Sequence, residues 1–453
     1  LALRSPVAYH GYWGIFATYG DLPNITGSAT QSPNLQPGDT AYVTSDAMLY
    51  FCINATLGAA TWTAMALTSA NFDAFGRLRT SNPQTVFDSK LVYDAQPLYW
   101  AESQSGGAGA GVWSALNATV TLTVAAGQSS VRQSRRYFTY QPGKSQLIFC
   151  TFNLNGITAN ATKRAGYFDS GNGFFLELSG GTAYLVRRST SLVPTTTVAQ
   201  AAWNLDPMDG SGPSGVTLDF TATQILVIDF EWLGVGSARL GFVINGQVIY
   251  AHRFDNANLN PSVYMSTPNL PIRYEVTGDV GLAAPTSIAC ICSSVASEGG
   301  LTGTGTKFGF ACPARITGIG NGANHTMFSI RHMGAYPRVT IIPTAVGPLA
   351  DSNGTSKWEL IYNGTIAGAT WAAGSRGYCD LDIAGSVTPG TGTVIAAGVF
   401  SNATPPANLE LTNTTLTLGA DVAGTSDTIS LLVTNLSGGN ANYLAAIDWL
   451  ALT

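Results

Sequence analysis

Short apolar stretches of four to nine residues, separated by turn residues, recur along almost the whole of this chain, and helical periodicity is nearly absent. From Val112 onward, WSALNATVTLTVAA, SQLIFCTFNL, GFFLELSG, TAYLVRRST, QILVIDFEWLG, ARLGFVING and QVIYAHRF each read as one strand. Asn245-Gly246, between RLGFVI and QVIYAH, is the strongest hairpin signal, because a type I′ turn needs positive φ at both central positions. Regular strand spacing with turns between constrains the chain to an all-β fold of sandwich or jelly-roll type. The pattern divides into a small N-terminal β module (1–68), an extended arm with a Gly-rich linker (69–111), a central jelly-roll-like β-sandwich (112–333) and a C-terminal β-sandwich (334–453). Tyr42, Leu49 and Phe51 with Trp62 are the expected core of the first module. In the last, YPRVTIIPTAV, KWELIYNG, YCDLDIAG, GTVIAAGVF, LELTNTTLTL, TISLLVTNL and AAIDWLAL are strands. Asn363-Gly364 marks a tight turn, and Trp449 is expected to pack the final strand into a sheet.

Charge is scarce, at 10% of residues, so hydroxyls and amides must carry solubility. A net charge of −5 argues against a nucleic-acid partner, which needs clustered Lys and Arg. Arg132, Arg135, Arg136 and Lys144 form a local basic patch that fits an inter-subunit or inter-domain ion-pair surface. Cys52, Cys150, Cys290, Cys292, Cys312 and Cys379 show no C-x-x-C spacing and read as buried free thiols. His10, His252, His325 and His332 lie too far apart to suggest a metal site, and no cofactor is expected. No signal peptide and no bilayer-length apolar run stand out, so the expectation is a protein made in a reducing cytoplasm without membrane insertion.

One segment departs from the strand pattern. Asn71–Lys90, NFDAFGRLRTSNPQTVFDSK, gathers Asp73, Arg77, Arg79, Asp88 and Lys90 beside the turn signal Asn82-Pro83. It reads as an extended arm whose polar groups must pair with something specific. The segment resembles the DAFGRLR-x-SNP-x-T-x-FDSK motif of structural proteins of tailed bacteriophages. The resemblance continues through RQSRRYFTYQPGKSQL (Arg132–Leu147), VIDFEWLGVG (Val227–Gly236), GFVINGQVIY (Gly241–Tyr250), NLPIRYEV (Asn269–Val276) and YPRVTIIP (Tyr336–Pro343). The N-terminal run GDTAYV…LYFC…TW is similar to small β modules of phage tail and fibre proteins. The resemblance implies a virion surface protein made in the host bacterial cytoplasm. Its expected partners are other virion proteins of capsid, neck or tail, and further copies of itself as a homotrimer.

The best catalytic candidate is the pair Asp229 and Glu231, since residues i and i+2 of a strand share a face. Two carboxylates flanking a bond are what glycoside hydrolysis requires. VIDFEW resembles the E-x-D-x-E strand of laminarinase-like jelly-roll glycosidases, but the position that supplies their nucleophile is Val227 here. No catalytic residue is therefore assigned. Asp229 and Glu231 are expected to pair with Arg239 or with Arg187 or Arg188; with Trp232 they alternatively form a vestigial glycan site. Trp100, Trp113 and Trp203 are further stacking candidates, weighed against a place in the core. NLDPMDGSGPSG misses the D-x-D-x-D-G calcium spacing, because Asp206 is followed by Asp209-Gly210. No metal site is assigned.

Three functions follow in order. The first is a non-enzymatic fibre, knob or decoration subunit of a tailed-phage virion, its arm clamping a neighbouring subunit through Arg77 and Arg79. The second is a tail adhesin recognising host surface polysaccharide. The third is a depolymerase.

Overall fold

The computed structural model describes residues 11–45, 48–65, 72–300, 305–336, 338–351, 354–402, 409–411 and 417–453. Their regular elements are almost all antiparallel strands; among the described residues only the single turns Tyr19–Asp21 and Gln200–Ala202 are helical, both 3-10. The all-β reading holds.

In the N-terminal module Tyr12–Phe16 runs parallel to Thr40–Val43, and Met48–Asn54 and Thr61–Met65 follow antiparallel. Its core is Leu22, Val43, Tyr50, Cys52 and Trp62. Tyr42, Leu49 and Phe51 instead lie half-buried on the other face. Trp62 sets the phase: it opposes Cys52, and its indole N–H donates to Pro23 O at 2.9 Å. A one-residue change of phase moves every side chain of a strand to the opposite face.

The central sandwich has two sheets of eight and seven strands. One runs Gln247–Phe254, Ala238–Ile244, Gln224–Phe230, Gln146–Asn153, Thr286–Glu298, Thr119–Val124, Val112–Ser114. The other runs Thr196–Ala199, Thr182–Arg188, Gly173–Ser179, Ala161–Phe168, Ile272–Gly278, Ser129–Ser134, Trp100–Ser105. Leu226, Ile228 and Phe230 point between the sheets against Tyr167 and Phe174; the Phe230 ring lies 5.8 and 5.6 Å from theirs. Asn245 (φ 51°) and Gly246 (φ 78°) make the expected positive-φ turn.

The strands redraw two boundaries. Pro83–Lys90 is no free arm; it pairs with Cys292–Glu298 at the edge of the first central sheet. Trp100–Ser105 is likewise a strand of the second sheet, where Glu102 meets Arg132 at 2.6 Å and accepts from Gly111 N–H. The central sandwich thus begins near residue 83. At the other end, Thr306–Ala311 pairs with the last strand, Ala441–Leu452, and Asn324–His332 pairs with Thr428–Asn435, so the C-terminal sandwich begins near residue 306. Neither partner lies close in sequence, which is why local pattern misplaced both limits.

The C-terminal sandwich packs the sheet around Thr340–Ala350 and Ala441–Leu452 on a six-stranded sheet centred on Thr428–Asn435. Trp449 is fully buried in the final strand, its indole N–H donating to Gly377 O at 3.1 Å. The two sandwiches meet through Arg135–Asp427 (2.8 Å), Arg338–Asp169 (2.6 Å) and Thr340 Oγ1 donating to Tyr137 O (2.9 Å).

The candidate site: a charged lock between arm and sheet

Val227 and Asp229 face away from the main core, on the outer side of the first central sheet. Val227 packs there with Leu147 and Tyr250 in a small apolar cluster. Asp229, directly opposite Arg239 and Leu147 on the flanking strands, is wholly buried.

The segment just before Pro83 folds over this face. Phe72 and Leu78 bridge across a tight turn in which Asp73 N–H donates to Arg77 O at 2.9 Å. The Asp73 carboxylate accepts from Phe75 N–H (2.9 Å) and Arg77 N–H (2.8 Å), and Gly76 supplies the left-handed residue (φ 77°). Ser237 Oγ ties the turn to the sheet by donating to Ala74 O at 2.6 Å.

Two arginines leave this turn and enter the sheet face. Arg79, whose side chain is 6% exposed, places Nη2 at 2.8 Å from Asp229 Oδ1. Arg77 Nε meets Asp73 Oδ2 at 2.6 Å, and its Nη2 meets Glu231 Oε1 at 2.7 Å. Arg239 bonds the other oxygen of Asp229, with its guanidinium carbon 4.1 Å over the Tyr250 ring. Ser145 Oγ (2.6 Å) and Tyr250 Oη (3.1 Å) also donate to Asp229. Both oxygens of this carboxylate are thereby occupied.

Glu231 differs. Its Oε1 is held by Arg77, while Oε2 is buried without a hydrogen-bond partner. Burial raises its pKa above the ordinary carboxylate value, and the Arg77 charge only partly opposes that. Trp232 beside it is half-buried and edge-on to Tyr140, its ring 6.3 Å away. Next to the lock is an open, polar cavity of about 400 Å³ lined by Asp73, Arg77, Ser81, Lys144 and Glu298.

These contacts decide several expectations. Asp229 does pair with Arg239. Arg187 and Arg188 lie on the other sheet; Arg187 bonds Asn256 and Thr196, and Arg188 donates to Asp169 O. The arginines of the arm, expected to seek a neighbouring subunit, find their carboxylates within the same chain. Asp88 and Lys90 are exposed and form no ion pair among the described residues. Trp100 and Trp203 are core residues, and Trp113 donates to Leu91 O. In the 204–215 loop Asp206 caps Met208 and Ser214 N–H, and Asp209 caps Ser211. Among the described residues no three His, Cys, Asp or Glu side chains gather as a metal site. The six cysteines are free thiols, four of them buried as expected but Cys312 half-buried and Cys292 exposed. No helix of the described residues is long and apolar enough to cross a membrane. Sequence reasoning found the arm and the Asp229/Glu231 pair separately; what it missed was that they meet.

No protein-family model and no curated protein matches the chain. Solved structures similar to part of it include a putative β-glucanase of Mycobacterium abscessus (10% identity, 47% of this chain and 100% of that one, TM-score 0.33). Others are the Emp47p carbohydrate recognition domain (11%, 47% and 96%, 0.28) and the CBM2 module of the evolved Dit of Lactobacillus casei BL23 phage J-1 (7%, 48% and 96%, 0.30). At these scores the likeness carries no argument about function.

Proposed function

We propose that this chain is a non-enzymatic structural protein on the surface of a tailed-phage virion. The observation that carries the reading is the lock of Arg79 on Asp229 and of Arg77 on Glu231. The motif that resembles phage structural proteins is spent on fastening the chain's own central sandwich, and it covers its best pair of carboxylates. An acid held by two guanidiniums, a serine and a tyrosine has no lone pair left for a reacting bond. A low-charge surface rich in hydroxyls and amides also suits contacts between copies, because desolvating such groups costs less than desolvating charges and hydrogen bonds across the contact can offset it. Assembly as a homotrimer belongs to the same proposal. With Arg77 and Arg79 engaged in cis, contacts between copies fall to other surfaces.

The test is on particles. Purified virions from a lysed host culture are analysed by peptide mass spectrometry and labelled with an antibody against the C-terminal sandwich. The expected result is a stoichiometric particle component reached by antibody on the outside. Recovery of the chain only from the soluble lysate overturns the proposal.

A second reading, a receptor-binding adhesin for host polysaccharide, is favoured by one observation. The seam between the two large sandwiches holds a cavity of about 230 Å³ lined by arginine and aromatic side chains.

A further inference from the structure

Of the four basic residues from Arg132 to Lys144, three have an ion-pair or close carbonyl partner, although Arg132 Nε, like Arg136 Nε, is buried without one. Arg132 pairs with Glu102, Arg135 with Asp427 across the seam, and Lys144 Nζ donates to Gly300 O at 2.6 Å. Arg136 forms no ion pair among the described residues. Its Nη1 reaches Val86 O at a long 3.3 Å, its guanidinium sits 5.6 Å over the Phe138 ring, and its Nε is sealed from solvent with no partner. The residue as a whole is half-buried, and desolvation of its guanidinium, to which no carboxylate is bonded among the described residues, pulls it down to about 10. An anion joining it in the adjoining cavity would offset that desolvation.

That guanidinium lines the seam cavity, together with Phe87, Asp88, Gln96, Tyr99 and Arg135. At about 230 Å³ the space lies below the range of roughly 300–1,000 Å³ that holds drug-sized ligands, so it suits one small ring. The lining is two-sided in chemistry. Arg136 calls for an oxyanion, the half-buried Tyr99 offers a ring face backed by the core residue Phe87, and Asp88 and Gln96 offer polar groups to hydroxyls. Asp88 also sets a limit on charge, since a dianion such as phosphate meets its repulsion more strongly than a monoanion does.

We infer that the seam cavity is a binding site for a carboxylate-bearing sugar of uronic-acid type, its carboxylate on Arg136 and its ring against Tyr99. This names a ligand class for the adhesin reading and rests on that reading for its biological meaning, while the binding itself is a property of the chain alone.

The full chain is titrated by calorimetry and ligand-observed NMR with D-glucuronate, D-glucose, acetate and inorganic phosphate. Saturable glucuronate binding is expected, stronger than that of glucose or acetate. Arg136→Gln should weaken it by about tenfold or more, the scale of one lost charge-assisted hydrogen bond. Asp88→Asn should raise phosphate and acetate binding, because the repulsion is gone. Melting curves check that both variants fold. If Arg136→Gln does not fold, the order of the four probes on the parent chain still decides. Equal binding of glucose and glucuronate overturns the inference, as does phosphate binding at least as tight as glucuronate, or no saturable binding at all. None of these outcomes bears on whether the chain is found in particles, so the two proposals fail separately.

Discussion

Arg77 Nη2 lies 2.7 Å from Glu231 Oε1, joining two residues 154 positions apart. Beside it Arg79 makes the more deeply buried contact, with Asp229. Together they turn the arm from a projecting segment into a strap across the first central sheet.

The two arginines should differ in their effect on stability. Arg79→Met strips a partner from a buried aspartate that cannot escape to water. The expected loss is about 3 kcal/mol, the low end for breaking a buried pair, because Arg239, Ser145 and Tyr250 still hold Asp229. Arg77→Met should cost less than about 1 kcal/mol, since its side chain is 55% exposed and Glu231 can take up a proton. Urea unfolding of both variants tests the order; equal losses would count against the strap as drawn.

His252 supplies a pH dependence. It is buried, accepts from Asn204 N–H at 3.1 Å, and burial lowers its pKa from 6.5 to about 4. The unfolded chain therefore binds the extra proton first as pH falls. The stability contributed by neutral His252 is complete above pH 6.5 and is lost as pH drops towards 4, by up to about 3 kcal/mol. His252→Gln should flatten that part of the profile. Urea midpoints of both proteins at several pH values within the window give the comparison.

Gly236 controls the loop that follows Glu231. A Cβ there would stand 1.9 Å from Glu231 O, so Gly236→Ala must push the backbone aside. A loss of about 2–3 kcal/mol is expected, and cleavage of the 72–79 turn by protease should stay at the parent rate if only the loop moves and rise if the strap loosens. Limited proteolysis shows whether the strap loosens with it.

Catalysis at the carboxylate pair should be absent. Reducing-sugar release from β-glucan and from acidic polysaccharide is expected to stay at background, and Glu231→Gln should leave it there. Turnover abolished by that substitution would replace the structural reading with a depolymerase.

Much of this architecture was legible in the residues. Strand periodicity, the Asn245-Gly246 hairpin and the burial of Trp449 follow from alternation and turn chemistry, which act over a few residues. The arm was visible because charge is rare here, so five charged side chains within Asn71–Lys90 stand out. The i, i+2 spacing likewise marked Asp229 and Glu231 as a pair, although the strand ends at Phe230 and Glu231 lies just beyond it.

What the chain's order of residues determined by itself was therefore its local grammar: all-β, strand by strand, with the carboxylate pair and the arginine pair each marked. Only the tertiary structure decided that these belong to one another, that Pro83–Lys90 is a strand beside Cys292–Glu298, and that Tyr50 rather than Tyr42 fills the first core. The reason is physical. Alternation states that a strand has two faces but not which one is buried, and a charge carries no record of its partner's position. Both are settled when distant strands pair and desolvation forces each buried charge to find its opposite.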